Sequence, residues 1–420
     1  MARSTTHGTR RWITGLAALL AAAGCQAAEP SSEPSPGPIR GWQRLAAAPG
    51  ECTVQVTDDP AELPALDWQA CPFAKGCEWA GAPWADRVGW GFGGLLSVAE
   101  DDDRIYMTWS RALGDGAWET VMSADDRPIA AWRQRQGEPC LVGGPWVTPG
   151  GDASLVVIRR DLEYAPWVLH ASPERLARAP EVAEFGAAGA AVRPRDVSAV
   201  ARGKLVLWEQ SGRFAIRDLA SGTTLRPGTR ADPRSPDRWM RPTVPGKYGV
   251  LYQDEEGGVG SVRRIALDGR DELVAGGAAS FDGVVADGTD AAWTRATGPD
   301  GEEGFADIEL WTARSVGDHL GAPIRIARLP AGPRPLLSIG GGWIGARFDA
   351  HDVRLWRIAD GADQKTSRRL PTTDLEWDGG PHGLVLAAGQ AWVKASLDGH
   401  PGNDVRHLVR FALGELSAGP

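Results

Sequence analysis

The residues best equipped for chemistry gather in a few short acidic stretches. Asp398, His400, Asn403 and Asp404 lie within the eight residues L-D-G-H-P-G-N-D. With His382, they offer carboxylate, amide and imidazole donors to a divalent cation. The oxygen-rich set favours Ca2+. The same residue types also build solvated turns, because Asp, Gly, Pro and Asn are what turns select. Other acids stand at Asp254, Glu255 and Glu256, at Asp300, Glu302, Glu303 and Asp307, and at Asp349 and Asp352 beside His351. Two carboxylates acting as acid and base are the machinery of glycan cleavage. Here no spacing singles out one pair.

Recognised nucleophile and nucleotide motifs are missing. Gly89, Gly91 and Gly94 spell G-x-G-x-x-G. The run Leu95–Val98 that follows reads as a strand and not as the helix a dinucleotide site needs. There is no H-E-x-x-H, no G-K-S/T and no G-x-S-x-G. Arg226, Arg230, Arg234, Arg238 and Arg241 crowd one connection, partly offset by Asp232 and Asp237. They suit an anionic partner or simple solvation. The chain carries a net charge of −9, which argues against nucleic acid.

Five cysteines are present: Cys25, Cys52, Cys71, Cys77 and Cys140. Leaving Cys25 aside, an even number in an exported chain suggests two disulfides, with three possible connectivities. Cys71–Cys77 across C-P-F-A-K-G-C, together with Cys52–Cys140, is the favoured pairing. A zinc site would need tighter Cys/His pairs.

These candidates need a scaffold, and the period of the chain supplies one. Short β-rich runs are punctuated by Gly, Asp and Pro. Residues 196–222, 281–313, 336–361 and 384–413 share one order. An apolar strand ends in a tight Gly-containing turn, a second strand carries a large residue, and a loop of variable length leads to a third. A turn such as A-S-G, A-D-G or L-D-G opens a fourth. Equivalent second-strand positions fall at Trp109, Val157, Trp208, Tyr252, Trp293, Gly345 and Trp392, in steps of 48, 51, 44, 41, 52 and 47. Repeats of about 40–50 residues with four strands each mark propeller blades. The expectation is an all-β protein, a β-propeller of four-stranded antiparallel blades, seven of them, with six or eight as alternatives. The 19 tryptophans then fill the wedges between blades. Cys52–Thr57 is expected to close the ring beside Val405–Leu413, leaving residues 58–92 as a loop-rich insertion pinned by disulfides.

Ala215–Leu225 (A-I-R-D-L-A-S-G-T-T-L) is similar to one quinoprotein repeat, and the blades resemble the TolB-type and quinoprotein-like propellers of bacterial envelopes. That resemblance implies an extracytoplasmic propeller. A lipid-anchored propeller also resembles, in architecture, the accessory lipoprotein of outer-membrane barrel assembly.

The N-terminus agrees. Arg3, Arg10 and Arg11 precede the 11 apolar residues Ile13–Ala23. That run is too short to span a bilayer but fits a secretory signal. Ala22-Ala23-Gly24-Cys25 resembles a bacterial lipobox, which makes Cys25 the lipidated first residue. An ordinary signal peptide with an incidental cysteine is the competing reading. Residues 1–24 are read as signal peptide, 25–40 as a Pro/Ser/Glu-rich linker, and 41–420 as the propeller. Losing the leader's three arginines takes the net charge from −9 to −12. Gln26 after the cysteine favours the outer membrane.

In a propeller, second-to-third-strand loops and blade-to-blade connections share one face, and in this chain they are the long, acidic ones. That face is expected to bind an envelope protein or polysaccharide. The reading is a non-enzymatic scaffold held to the membrane by lipid alone and needing no cofactor. The alternatives are an extracytoplasmic glycan hydrolase or lyase, or a Ca2+-dependent carbohydrate-binding protein.

Overall fold

The computed structural model describes residues 39–420 except 47, 49–51, 73, 83–96, 102–103, 114–116, 136–139, 148–152, 160–165, 185–193, 202, 210–213, 227–237, 244, 257–258, 277–279, 298–304, 306, 350–351, 372–374, 378–383, 398–405 and 417–420, and some side chains within strands. Seven antiparallel sheets follow one another along the chain as a seven-bladed β-propeller. Their inner strands are Ser97–Asp101, Cys140–Val147, Pro194–Ala201, Arg238–Pro242, Ser280–Ala286, Leu336–Gly340 and Leu384–Ala387. Each of the seven marker residues lies on the second strand of its blade. No helix among the described residues is long and apolar enough to cross a membrane.

A large second-strand residue every 40–50 positions makes a blade because its bulk is buried in the wedge against the next one. Trp109, Tyr252, Trp293 and Trp392 are all at most 3% exposed. Blade six departs from this pattern. A Cβ on Gly345 would stand 2.7 Å from the Leu384 side chain and 3.2 Å from that of Leu355. Two leucines fill the place of the indole, and Trp343 at the start of the same strand and Trp356 on the next are buried instead. Blades also meet backbone to backbone. A Cβ on Gly340 would lie 1.7 Å from the Leu386 carbonyl of blade seven, and one on Gly260 would lie 2.3 Å from the Phe281 carbonyl of blade five. Only glycine permits such approaches.

Ring closure differs from the expectation. Gln55–Thr57 does not pair with the last blade. It pairs with Arg127–Arg135, the fourth strand of blade one, and Gln43–Arg44 pairs with it in turn. The strand beside Arg406–Ala412 is Cys77–Ala82, in the register Arg410↔Glu78. Residues 58–92 therefore contain the closing strand, and Gln69–Ala70 adds a further hairpin partner outside it. Alternation marked both segments as strands, but only tertiary contacts choose between two candidates for one edge. Cys71–Cys77 is a disulfide at the head of the closing strand. Cys52 is disulfide-bonded too. The Cys140 side chain lies outside the described set.

Residues 39–82 thus form a strap around the rim. Ile39, Leu45, Cys52, Val54 and Val56 pack with Tyr106, Trp132, Leu155 and Trp167 of blades one and two. Trp42, Leu63, Leu66 and Trp68 pack with Trp109 of blade one and Trp392 of blade seven. Asp58 is buried and ion-paired with Arg178 of blade two. At the seam, Arg410 donates to Glu78 at 2.7 Å and to Asp126 of blade one at 2.8 Å. Its guanidinium also lies 4.1 Å from the Trp68 ring centre and 5.4 Å from that of Trp392. Arg410→Ala is expected to lower unfolding free energy by about 1–3 kcal/mol, the range for stacked, part-exposed guanidinium pairs. Arg410→Lys should recover only part, because it keeps the charge but loses the planar stack. Chemical denaturation of the oxidised protein measures both.

Candidate binding face

Strand direction sorts the molecule's two faces. First-to-second and third-to-fourth turns share one side, the turn face. Second-to-third loops and blade-to-blade connections share the other, the loop face.

The cation candidates Asp398, His400, Asn403 and Asp404, with His382, lie outside the described residues, as do Cys25 and Gly89, Gly91 and Gly94. The acidity of Gln253–Gly260 marks it as a second-to-third-strand loop, but Gln253–Glu256 is strand. It is the end of strand Val250–Glu256, separated by two residues from Val259–Ile265. Gln253 and Asp254 are buried. A Gly-Gly pair between two β-rich runs is a two-residue hairpin signal, and it outweighs the acidity of the segment. Arg238 and Arg241 likewise belong to the innermost strand of blade four and not to its preceding connection. Asp349 accepts a hydrogen bond from the Asp352 amide. Asp352 pairs with Arg354 and Arg369. Hydrogen bonds from Arg354 hold the Asp352 carboxyl below its usual range, against the opposing effect of burial.

Two buried carboxylates were not anticipated. Glu119, fully buried, accepts from Arg133 Nε at 2.9 Å on one oxygen and from Arg111 Nε at 2.7 Å on the other. Arg133 also stacks on Trp42 at 3.6 Å. In blade five, Glu309 accepts from Arg325 Nη1 at 2.7 Å, from Trp311 Nε1 at 3.1 Å and from Arg295 Nη1 at 3.4 Å. Both glutamates face an arginine in the same register, Arg111↔Glu119 and Arg295↔Glu309. A signal existed: Trp109-Ser110-Arg111 and Trp293-Thr294-Arg295 repeat at two marker positions. Carboxylates saturated by guanidinium donors are neither free bases nor metal ligands. They fasten strands near the loop face.

Among the described residues, the half-buried cation Arg347 on this face has no such partner. Arg347 ends the second strand of blade six, paired in register with Leu336 at the loop-face end of the inner strand. It is half-buried, and burial alone pushes its guanidinium below the usual arginine range. No carboxylate among the described residues reaches it. Leu336 beside it is 41% exposed. Next to them Phe305 and Gly332 exchange backbone hydrogen bonds of 2.9 and 3.0 Å, and Arg334 stacks on Phe305 at 4.3 Å. The result is a cationic and apolar spot at the inner end of a blade.

No family model matches the sequence, and no curated protein matches it. Solved structures similar in shape are propeller-bearing proteins. One prolyl endopeptidase aligns over 78% of this chain with 13% identity and a TM-score of 0.49. This chain spans about half of that protein, 48%. The β-propeller domain of the trilobed protease from Pyrococcus furiosus aligns over 78% of this chain and 98% of its own, with 11% identity and a TM-score of 0.46. Oligogalacturonate lyase from Vibrio parahaemolyticus aligns over 82% and 97%, with 11% identity and a TM-score of 0.49. At these identities the likeness concerns fold alone.

The Glu309 clamp has a pH signature. Burial pushes its carboxyl up, but hydrogen bonds from Arg325 and Trp311 and the nearby arginine charges outweigh this, so its folded pKa lies below 4.5. A depressed carboxyl contributes stability above its unfolded pKa and loses it as pH falls through the folded value. Glu309→Gln should therefore cost about 1–2 kcal/mol at neutral pH, because it removes a buried carboxylate from part-exposed guanidinium donors. The gap from wild type should narrow as pH falls below about 4. Urea titrations at several pH values check this.

Proposed function

We propose that this chain is an exported, lipid-anchored propeller that binds an envelope protein or polysaccharide on its loop face and performs no chemistry of its own. Cys25 is the lipidated residue, residues 26–38 are the tether, and the outer membrane is the favoured location. The observation that carries the binding reading is Arg347. A half-buried guanidinium with no counter-charge among the described residues is costly to keep, and a partner carrying carboxylate or another anionic group removes that cost on docking. Leu336 alongside supplies apolar contact, and arginines beside apolar and aromatic groups are enriched in interfaces.

The described chain enters the propeller on the face opposite the loop face. Gln55–Thr57 runs antiparallel to Arg127–Arg135, so Asp58 lies at its turn-face end. The Ile39 amide donates to Asp58. Ile39, the first described residue, therefore stands on the turn face at blades one and two.

Pull-down from detergent-solubilised envelopes tests the reading. Wild type should capture a discrete partner, and Arg347→Gln should weaken capture about tenfold, as loss of a docked charge pair does. Because the substitution removes a desolvated charge, its melting temperature should hold or rise. Equal capture by both proteins counts against the site. Separately, Cys25→Ser should release the folded protein from the membrane fraction; retention would show that lipid is not what holds it.

A further inference from the structure

The outer rim of blade six carries a charge opposite to that of the whole molecule. The chain has 45 basic and 54 acidic side chains. Residues 364–370, Q-K-T-S-R-R-L, hold Lys365, Arg368 and Arg369 and no acid. This segment first follows the edge of blade five, where the Gln364 amide donates to the Ile326 carbonyl. It then becomes the outer strand of blade six, Arg368–Arg369. Arg368 turns towards blade seven, stacking on Trp343 at 4.9 Å and donating to the Leu413 carbonyl. Lys365, Thr366 and Arg369 are exposed.

Arg369 lies directly opposite Arg354 of the third strand, Val353–Arg357. Directly opposed residues point to the same side of a sheet, and like charges placed so cost stability unless an anion joins them. Asp352 does this only in part. Its carboxylate accepts from Arg354 at 2.7 and 3.0 Å, whereas Arg369 Nε stands 3.8 Å away, beyond hydrogen-bond reach. Arg354 is held further by the Phe348 ring, whose centre is 4.9 Å from the guanidinium. One acid thus faces two arginines, and the outer one has a side chain 52% exposed. Lys365 adds a third cation, at most about 14 Å along the chain from Arg369. Asp363, two residues before Lys365, is taken by Arg325 at 2.7 Å.

This rim is separate from Arg347. Register pairs Arg347 with Val353 and Ala346 with Arg354, so Arg347 and Arg354 project from opposite sides of the same sheet. Planar guanidinium forks suit carboxylates, and Asp352 on Arg354 shows that fit within the site itself. Protein interfaces are built round an apolar core. Among the described residues from 337 to 370, no large hydrophobic side chain is exposed. A peptide adding itself as a strand needs a free edge, and Arg368–Arg369 offers only two residues of one. A polysaccharide needs neither, since its carboxylates and hydroxyls meet side chains alone.

We propose that Arg354, Lys365, Thr366 and Arg369 form a binding site on the rim of blade six for a linear polysaccharide bearing carboxylates along its length. It needs neither the anchor at Cys25 nor the contact at Arg347, so it stands or falls apart from both. Calorimetric titration of the full-length protein in mild detergent at low salt tests it. Alginate is the probe, with dextran, esterified alginate and poly-glutamate as comparisons.

Wild type should bind alginate, lose affinity as salt rises, and bind neither dextran nor the ester. Combining K365Q and R369Q should weaken binding about tenfold, the product of two exposed charge contacts of about threefold each. Combining K247Q and R270Q removes the same charge from blade four and should leave binding as in wild type. Asp352→Asn keeps the shape of the side chain and frees both guanidinium groups. It should tighten binding about threefold, a gain that a misfolded variant would not show. Absence of alginate binding, equal binding by wild type and the K365Q/R369Q protein, or weaker binding by Asp352→Asn would overturn the proposal. Tighter binding of poly-glutamate than of alginate, with the same dependence on these variants, would overturn the polysaccharide and leave an acidic protein as the occupant.

Discussion

Everything in this molecule hangs on closing the ring. Seven wedge-shaped sheets bury their faces only against one another, so a gap at one radius would expose two faces at once. Closure rests on Cys77–Ala82 pairing with Arg406–Ala412. It is backbone hydrogen bonding between the two ends of the described chain, and one guanidinium fixes its register. Arg410 meets a carboxylate on the closing strand, another on blade one, and two indole faces. A lysine would match the charges but not the faces. The Cys71–Cys77 bridge shapes the turn that launches this strand.

The strap that precedes the closing strand belongs to the same solution. Blade one is the seam blade, and the chain surrounds it with its own N-terminal segment. Leu45, Val54 and Val56 fill the wedge towards blade two. Leu63, Leu66 and Trp68 fill the wedge towards blade seven. The strap also covers the outer edge of blade one with two added strands, which removes a template for intermolecular pairing. A force arriving through residue 39 meets Asp58 and Arg178 before it reaches the seam.

Charge serves two purposes here. Glu119 and Glu309 are enclosed by arginines and act as rivets across neighbouring strands. Arg347 has the opposite arrangement, half-buried with no counter-charge among the described residues. An acidic chain with several acid-rich connections suggested carboxylates as the working groups. The described carboxylates are mostly engaged with arginines or with their own turns, whereas the half-buried Arg347 has no carboxylate partner among the described residues.

The sequence alone determined the architecture. Second-strand residues at Trp109, Val157, Trp208, Tyr252, Trp293, Gly345 and Trp392 set blade position and favoured seven blades over six or eight, because a repeating unit must present its bulk at a repeating place. The Cys71–Cys77 pair was legible too, since a six-residue separation with Pro and Gly leaves little else for it to do. What the sequence left open was which strand meets which edge. Cys52–Thr57 and Cys77–Ala82 both alternate, and local pattern carries no information about a partner more than 300 residues away. The Glu119 and Glu309 clamps were written in a repeated W-S/T-R but needed register to be read. That no described carboxylate reaches Arg347 had no sequence signal at all. Whether a charge has a partner depends on every segment folded around it, and only the tertiary structure brings those segments together.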